Sequence, residues 1–497
     1  MRTVAEVIRW RAQRHPDLPA TWFQGRIRTF GELDARSSAL AGGLTSGAGL
    51  RPGDRVAVLD KNSDDYVELL VALAKAGVVA VPVNWRLTPP EVKAVVGDAK
   101  AKLLVVGPGL EPAAGAVEAP VVGYDDLARG GDDPRADREE AVAWQLYTSG
   151  TTGLPKGAML TNLNLVAGLG GSLAFECPEI RQGGRGLVAM PLYHIGGSGW
   201  LLGVIAGGAC AVLVREVVPA ELLQVIVEQQ VQTGFLVPAV LLFLTQLPRA
   251  GQADFSALES ILYGASPISQ DLLRRAIETF GCRFTQVYGL TETTGAITAL
   301  QHEHHGGERL LSCGRAMFGG EITILDPEGR VLERGQIGEV AYRGPGVMAG
   351  YWNRPEDTRA VTTEDGWFRT GDAGTMDEEG FVYIRDRIKD MIVSGGENIY
   401  PAELESVLAG HSQVADVAVI GVPDERWGEV VKAVVVRRPG SELSADELVS
   451  WARERLAGFK LPRSVDFVEA VPRNPSGKIL KRELREPYWA ALGRRVN

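Results

Sequence analysis

The sequence predicts an α/β protein: a large amino-terminal domain of α/β subdomains, a β-rich subdomain, and a small α+β carboxyl-terminal domain. Three observations predict this arrangement. As far as residue 290, short β-branched runs alternate with amphipathic stretches, which is typical of parallel sheets covered by helices. Short alternating strands with glycine-rich turns follow at 321–342. A further mixed series of strands and helices begins after residue 387.

The amino-terminal domain contains two predicted α/β series. The first is strand 55–59, helix 64–75, strand 78–83, helix 90–97 and strand 103–106. A Pro/Gly/Asp-rich segment, 107–140, is predicted to be mostly loop. The second series is strand 186–190, helix 199–206, strand 210–213, helix 220–229, strand 234–237, strand 261–263, helix 271–279 and strand 283–287.

The terminal domain is predicted as a βαβ-type series. Its elements are helix 402–409, strand 414–422, strand 430–436, helix 445–455 and strand 464–467. No internal repeat is evident.

Composition narrows the class of protein. A chain of 497 residues can bury several cores, so two or more domains are expected. The net charge of −10 argues against nucleic-acid binding. The four cysteines are widely spaced, which fits reduced thiols. The sequence shows no signal peptide and no run of ~18 apolar residues that could span a membrane. We therefore expect a soluble cytoplasmic protein. Peripheral membrane contact and the choice between monomer and homodimer stay open.

The most informative segment is the loop YTSGTTGLPKG at 147–157. Backbone N–H groups of such a glycine-rich loop can converge on an anion, and its hydroxyls and lysine suit phosphate. The Walker pattern does not apply, since Lys156 follows no glycine. Simple hairpins use two to five loop residues, so a plain turn is disfavoured. The candidate phosphate-binding residues are Thr148, Ser149, Gly150, Thr151, Thr152, Gly153 and Lys156.

Two later segments follow predicted strands, where open parallel sheets present ligand sites. GASP at 264–267 offers backbone from Gly264, Ala265 and Ser266 to a flat base. YGLTET at 288–293 offers a stacking face, hydroxyls and a carboxylate that could hold Mg²⁺ beside phosphates. The residues concerned are Tyr288, Gly289, Glu292 and Thr293.

Isolated polar residues complete the candidate site. Asp372, in GWFRTGD, could accept hydrogen bonds from ribose hydroxyls, and Arg387 could donate to the same sugar. His194 lies in an apolar, glycine-flanked loop, where a structural role is the default for a histidine considered alone. His302, His304 and His305 fit no common metal spacing and are predicted to lie in an exposed loop.

Seven blocks occur in one order along nearly the whole chain, and in combination they are highly specific. They are YTSGTTGLPKG, PLYHIGG, YGASPIS, YGLTET, GWFRTGD, RDRIKDMIVSGGENIYPAE and NPSGKIL. The sequence thereby resembles the adenylate-forming superfamily of acyl-CoA synthetases, firefly luciferases and nonribosomal adenylation domains. Among its branches it is most similar to actinobacterial medium-, long- and very-long-chain fatty acyl-CoA synthetases.

The resemblance implies a role for each candidate residue. The 148–157 loop would hold the pyrophosphate end of ATP, with Glu292 on Mg²⁺. Residues 264–266, Tyr288 and their neighbours would frame adenine, and Asp372 and Arg387 would bind ribose. Lys478 would bridge the substrate carboxylate and ribose or α-phosphate oxygens. The candidate catalytic set is Lys478, Glu292, His194 and Thr148.

The resemblance also implies two moving parts. An AMP-binding domain, 1–386, would be followed by a mobile domain, 387–497, with a hinge near Lys389. Gly395, Gly396 and Glu397 would line a tunnel for the pantetheine arm of coenzyme A after rotation.

The predicted function is ATP-dependent ligation of a carboxylic acid to CoA through acyl-AMP. The pocket for the acyl group is expected at 193–204, 234–243 and 288–297. Segments 187–213 and 234–246 contain no Lys or Arg that could pair with a second carboxylate. A substrate with an apolar tail is therefore favoured over a dicarboxylate. The alternatives are an aryl or other apolar acid–CoA ligase, a stand-alone adenylation enzyme loading a carrier protein, a luciferase-like oxygenase, and a non-catalytic nucleotide-binding regulator.

Overall fold

The computed structural model describes residues 1–115, 117–148, 155–171, 177–395, 397–473 and 479–490. In chain order its strands are β1 Pro19–Phe23, β2 Arg26–Thr29, β3 Arg55–Leu59, β4 Val79–Val83, β5 Leu103–Val106, β6 Val121–Val122, β7 Val142–Thr148, β8 Lys156–Thr161, β9 Arg185–Val188, β10 Cys210–Leu213, β11 Thr233–Leu236, β12 Ser260–Gly264, β13 Arg283–Leu290, β14 Gly295–Leu300, β15 Arg315–Ala316, β16 Glu321–Leu325, β17 Gly338–Arg343, β18 Gly350–Tyr351, β19 Phe368–Met376, β20 Val382–Arg387, β21 Ile392–Ser394, β22 Glu397–Ile399, β23 Val414–Asp424, β24 Gly428–Arg437 and β25 Ser464–Phe467.

The helices alternate with these strands as the sequence pattern predicts. They are α1 Val4–Arg14, α2 Phe30–Ser46, α3 Asp64–Lys75, α4 Pro89–Asp98, α5 Glu111–Ala114, α6 Ile195–Gly207, α7 Pro219–Glu228, α8 Pro238–Thr245, α9 Gln270–Phe280, α10 Pro355–Ala360, α11 Pro401–Ala409, α12 Ala445–Arg453 and α13 Lys481–Ala490. Asn164–Gly171 is π-helical, and 3₁₀ turns lie at Ala250–Gln252, Thr291–Thr293, His302–His304, Gly307–Leu311, Ile388–Asp390 and Gly458–Lys460.

Local sequence explains where the helices begin. Ser63 caps α3 by accepting a hydrogen bond from the Tyr66 amide, and Ser269 caps α9 in the same way. Thr29 and Glu32 form a capping box on α2. Proline at the first or second position opens several of the others, where its missing N–H costs nothing.

The first of two compact units comprises Met1–Ile322 and Tyr342–Phe368. It contains a nine-stranded sheet in the order β15-β14-β13-β12-β11-β9-β10-β1-β2. Strands β13, β12, β11, β9, β10 and β1 are mutually parallel, and antiparallel strands close both edges. The carboxyl ends of the parallel strands therefore meet at one edge of this sheet.

The same unit contains a seven-stranded sheet in the order β18-β8-β7-β4-β3-β5-β6. Its strands β7, β4, β3, β5 and β6 are parallel neighbours, whereas β8 pairs antiparallel with β7. Thr148 and Lys156 are paired across β7 and β8, so the glycine-rich loop closes a β-hairpin. Loop length disfavours a plain turn, and the pairing of β7 with β8 does not test this, since residues 149–154 lie outside the described residues.

The second unit comprises Thr323–Ala341 and Arg369–Asn497. A four-stranded sheet runs β16-β17-β19-β20, and a five-stranded sheet runs β22-β21-β24-β23 with β25 beside β24. The predicted βαβ pattern is correct for β24 and β25, which are parallel strands connected through α12. The strands β23 and β24, between which the sequence predicts no helix, pair antiparallel from Val414–Arg437 to Asp424–Gly428, because the few residues between them allow only a hairpin.

This division assigns the β-rich segment 323–341 to the same unit as the carboxyl terminus. The sequence-based boundary at 386/387 and the mobility of the smaller domain stay predictions. None of the described helices is long and apolar enough to cross a membrane.

Candidate active site

A buried carboxylate lies where β13 ends. Glu292 occupies the 3₁₀ turn after β13, is only 9% exposed, and accepts a 2.8 Å hydrogen bond on Oε1 from the Tyr351 hydroxyl. Thr148 Oγ1 lies 3.3 Å from the same oxygen, which brings the last residue of β7 to the turn after β13. The Met348 amide also donates to the Glu292 carbonyl oxygen at 2.9 Å. Two of the predicted catalytic residues are thus adjacent.

Lys156, on the far side of the glycine-rich loop, is held by its own contacts. Its Nζ lies 2.8 Å from Asp357 and 5.4 Å from the centre of the Tyr351 ring. The ammonium is therefore paired within the protein, and a phosphate ligand would have to share it with Asp357.

The predicted adenine-framing residues lie at the same edge of the nine-stranded sheet. Gly264 ends β12, and an added Cβ there would lie 2.1 Å from the Val287 carbonyl oxygen on β13. At Gly289 an added Cβ would lie 1.9 Å from the Gly295 carbonyl oxygen. Close strand packing alone accounts for both glycines. Ala265, the next residue along, is exposed and adopts a left-handed φ of 67°.

Three further candidate residues differ in their hydrogen bonds and exposure: Thr293, Ser266 and Tyr288. The Thr293 hydroxyl accepts from the Leu290 amide at 2.9 Å and lies 2.9 Å from the Gly295 carbonyl oxygen, so it stabilises the turn around Glu292. Ser266 and the β13 residue Tyr288 are partly exposed.

His194 is the amino-terminal cap of α6, and its backbone carbonyl accepts from Ser198 Oγ at 3.0 Å. Its partly buried imidazole packs against Tyr193, with ring centres 4.6 Å apart, and the buried Nε2 atom has no partner among the described residues. Burial, with a smaller contribution from the Arg86 charge, lowers the pKa of His194 to about 4. The side chain is therefore neutral at physiological pH.

A second polar pair lies in the other unit. Asp372 on β19 and Arg387 on β20 are cross-strand neighbours, and Arg387 Nε lies 2.7 Å from Asp372 Oδ1. Asp372 is buried and Arg387 is partly exposed, so the ion pair can present oxygen and nitrogen atoms to a diol.

The hinge candidate Lys389 lies in the turn that follows. The residue is exposed overall, and partial desolvation of its ammonium lowers the pKa of Lys389. Gly395 has a φ of 61°, and an added Cβ would lie 2.5 Å from the Trp427 ring, so glycine is required there. Glu397 begins β22 and pairs with Ser394.

Seven predicted site residues lie outside the described residues: Ser149, Gly150, Thr151, Thr152, Gly153, Gly396 and Lys478.

Two residues that contact candidate site residues, Tyr351 and Arg86, lie in none of the sequence motifs, and the prediction for a third residue, His305, is wrong. Tyr351, which orients Glu292, follows it by 59 residues with no motif of its own. Arg86 donates to the Tyr193 hydroxyl at 3.3 Å, so a cation approaches a pocket segment that itself has none. His305 was predicted in an exposed loop, which is wrong: it is partly buried, with Nε2 2.9 Å from the Tyr263 hydroxyl.

Comparison with known families agrees with these motifs. The sequence model described as "AMP-binding enzyme" matches residues 8–352, and the one described as "AMP-binding enzyme C-terminal domain" matches residues 403–478. The chain belongs to this family, the adenylate-forming superfamily that its seven blocks resemble.

Three similar proteins cover almost the whole chain. A fatty acid–[acyl-carrier-protein] ligase, ScoC, of Streptomyces coeruleorubidus is 41% identical over 100% of this chain and 98% of its own. A feruloyl-CoA synthase of an Amycolatopsis species is 40% identical over 96% of this chain and 97% of its own. The solved structure of a Mycobacterium tuberculosis fatty acyl CoA synthetase superposes with a TM-score of 0.79 at 35% identity, covering 99% of each chain.

Proposed function

We propose that this protein is an ATP-dependent carboxylate–CoA ligase that activates a medium- to long-chain fatty acid. A carboxylate oxygen of the acid attacks the α-phosphorus of ATP, forming acyl-AMP and releasing pyrophosphate. The thiol of CoA then attacks the acyl carbon and releases AMP. The observation that supports this best is the buried Glu292, hydrogen-bonded beside Thr148 at the mouth of a hydroxyl-rich loop.

Glu292 fits a role in holding Mg²⁺. Both described hydrogen bonds to its carboxylate go to Oε1, and among the described residues Oε2 accepts none. One hard oxygen ligand is therefore left for a divalent cation, and waters and phosphates would complete the shell. Bound Mg²⁺ would offset the negative charge that gathers on the phosphates. Thr148 and Tyr351 keep the carboxylate oriented.

The remaining nucleotide contacts follow from the same family pattern. Residues 149–153 and Lys156 would hold the β- and γ-phosphates, and Gly264, Ala265, Ser266, Tyr288 and Gly289 would frame adenine. Asp372 and Arg387 would bind the ribose hydroxyls. Lys478 would supply a mobile cation between the carboxylate and the α-phosphate, where negative charge develops in the transition state.

We further propose that residues 387–497 move between the two half-reactions, turning at Lys389. Withdrawal of Lys478 after adenylation would free space for the thiol. Gly395, Gly396 and Glu397 would line the pantetheine channel. A cytoplasmic location is proposed with this role, since free ATP, CoA and fatty acid meet there.

An apolar acid is favoured by the predicted pocket segments. His194 is partly buried and neutral, and segments 187–213 and 234–246 contribute no cation. A second carboxylate buried there without a partner would cost several kcal/mol, more than a few mismatched methylenes. Arg86, which donates to the Tyr193 hydroxyl and lies 3.8 Å from Glu216, is a cation that could weaken this preference.

A carrier protein is the second candidate acceptor of the acyl group. The fatty acid–[acyl-carrier-protein] ligase ScoC, at 41% identity, favours that alternative, and the feruloyl-CoA synthase favours an aryl acid. Both alternatives keep the adenylation step and change only the acyl donor or the thiol acceptor.

A substrate panel tests the proposal. The purified protein is offered octanoate, palmitate, ferulate, malonate and succinate, each with ATP and with either CoA or a phosphopantetheinylated carrier protein. We expect AMP, pyrophosphate and acyl-CoA in equal amounts, with the highest kcat/KM for octanoate to palmitate. A preference for either diacid would refute the pocket assignment, and transfer to the carrier alone would refute CoA as acceptor.

A further inference from the structure

Segment 344–348 lies between the π-helix and the turn that carries Glu292, and glycines allow close contact on both sides. A Cβ added at Gly168 of the π-helix would lie 2.9 Å from Gly346 Cα. One added at Gly346 would lie 2.7 Å from the carbonyl oxygen of Thr293, in the turn. Neither contact has room for a side chain, so the π-helix, segment 344–348 and the Glu292 turn are three backbone layers in direct contact.

Asn164, the first residue of the π-helix, connects that helix to the segment. Its side-chain Nδ2 donates to the carbonyl oxygens of Pro345 and Val347 at 2.8 and 2.9 Å. Its Oδ1 accepts from the Thr161 amide at 2.9 Å, and its own amide donates to Thr161 Oγ1 at 3.1 Å. Asn164 is 9% exposed, so hydrogen bonds at both ends of a buried amide fix the orientation of this side chain.

On its other side, segment 344–348 holds the Glu292 turn. The Thr294 hydroxyl donates to the Gly346 carbonyl oxygen at 2.6 Å, and the Met348 amide donates to the Glu292 carbonyl oxygen at 2.9 Å. Thr294, Gly346 and Met348 are all buried. These two bonds hold the backbone that carries Glu292, whereas the Tyr351 hydroxyl orients its carboxylate.

We propose that Asn164 is a positioning residue for Glu292 and acts through the backbone of segment 344–348. This inference rests on the proposed function, because it takes Glu292 as the residue that holds Mg²⁺. The side-chain hydrogen bonds described for Asn164 go to Thr161 and to the segment, so its effect on Glu292 passes through the segment. Loss of an outer partner of a metal ligand typically costs about 10- to 100-fold in metal affinity or activity.

Two variants remove the contact with the segment. Asn164→Ala removes all the side-chain hydrogen bonds of this residue, and Asn164→Asp keeps the one from the Thr161 amide while losing both donors to the segment. In each, the Mg²⁺ concentration that half-saturates ATP–pyrophosphate exchange should rise by about tenfold, because the Glu292 turn is no longer held in place.

Asn162→Ala is the matched control. Asn162 lies two residues earlier, is 2% exposed, and is bonded in the same manner to backbone, with Nδ2 donating to the Arg138 carbonyl oxygen and Oδ1 accepting from the Val4 amide. None of its described hydrogen bonds goes to segment 344–348. Asn162→Ala should therefore lower the thermal unfolding temperature and leave the Mg²⁺ requirement unchanged.

The Glu292→Gln background tests whether the effect passes through Glu292. If it does, Asn164→Ala combined with Glu292→Gln should exchange no more slowly, and need no more Mg²⁺, than Glu292→Gln alone. A higher Mg²⁺ requirement in both Asn164 variants, absent from Asn162→Ala and not added to Glu292→Gln, supports the proposal. An unchanged requirement, an equal rise in Asn162→Ala, or a full further rise on Glu292→Gln overturns it. If Asn164→Ala does not fold, Asn164→Asp takes its place.

A second measurement does not depend on activity. The Met348 amide donates to the Glu292 carbonyl oxygen, so its hydrogen exchange reports whether the segment and the turn stay together. Exchange should be faster in Asn164→Ala than in Asn162→Ala, whereas a general loss of stability would speed it in both. Equal exchange in the two variants overturns the proposal. If the wild type shows no ATP–pyrophosphate exchange with any acid, the proposed function fails, and Met348 exchange alone decides whether Asn164 holds the turn.

Discussion

At the scale of single residues, Glu292 combines burial, a fixed orientation and a carboxylate oxygen that accepts no hydrogen bond from the described residues. Glu292→Gln keeps the shape and the hydrogen-bond acceptor but removes the charge. We expect ATP–pyrophosphate exchange to fall by about 10²-fold and to need more Mg²⁺, because a cation ligand is lost.

Tyr351→Phe is the matched control for Glu292→Gln, since it removes one hydrogen bond to Oε1 and leaves the charge. Its exchange rate should fall by less than about tenfold. Wild-type exchange and Mg²⁺ dependence in Glu292→Gln would contradict the role given to this carboxylate.

Asp372 is predicted to distinguish ribose from sugars that lack hydroxyls. The wild-type kcat/KM should be ten- to a hundredfold higher for ATP than for 2′,3′-dideoxy-ATP, a difference in transition-state free energy of a few kcal/mol at most. Asp372→Asn should lose most of that preference. Steady-state kinetics with both nucleotides measure it. If Asp372→Asn lowers activity with both nucleotides equally, the carboxylate stabilises β19 and β20 through Arg387 and does not contact ribose.

The His194 pKa predicts how stability depends on pH. Burial lowers that pKa to about 4. Between about pH 4 and 6.5 the unfolded chain therefore binds more protons than the folded protein. The free energy of unfolding consequently decreases as pH falls through this range. From pH 7.5 to 5 the loss due to His194 should be about 2 kcal/mol.

His194→Gln removes this titration and should flatten the pH dependence. Urea unfolding of both proteins at pH 5, 6 and 7.5 tests the expectation. Parallel pH profiles for wild type and variant would mean that His194 does not stay neutral in the folded protein.

The sequence singles out Thr148, Glu292, Asp372 and Arg387 because they lie in dense local motifs, and their roles stay predictions. The contacts of Tyr351, Arg86 and His305 could not be predicted. Each acts on a residue distant in sequence, and only the packing of β18, the loop after β4 and the turn after β14 brings them there. Gly264 and Gly289 were predicted for ligand approach, yet neighbouring backbone already excludes a side chain.

At the scale of elements, the turn Ile388–Asp390 is predicted to be the hinge. Lys389→Pro fixes φ near −65° and restricts Ile388 as well. Adenylation should survive if the first conformation tolerates that φ, whereas thioester formation should fall by orders of magnitude. Single-turnover assays of each step measure the separation. If both steps fall equally, or neither does, the smaller domain does not turn at Lys389.

Elements were predicted better than their pairing. Residues 55–59, 210–213 and 464–467 form strands as predicted, because β-branched runs between turn residues specify a strand locally. Strand direction depends on the connection. The long loop between β7 and β8 and the short one between β23 and β24 both close hairpins, which residue pattern alone did not indicate.

At the scale of the whole molecule, the α/β class was predicted and is confirmed. The grouping of 323–341 with the carboxyl-terminal unit was not predicted, since that segment joins sequence-distant strands in one sheet. Such long-range pairing has no local signature.

The proposed function requires that the protein activate a carboxylate by adenylation. Octanoate labelled with ¹⁸O in both carboxylate oxygens tests it most directly, because attack on the α-phosphorus leaves one of those oxygens on AMP when CoA displaces it. Mass spectrometry of the products should find one ¹⁸O atom in each AMP, with none formed by Lys478→Ala. Unlabelled AMP, or ADP and phosphate as products, would contradict the account.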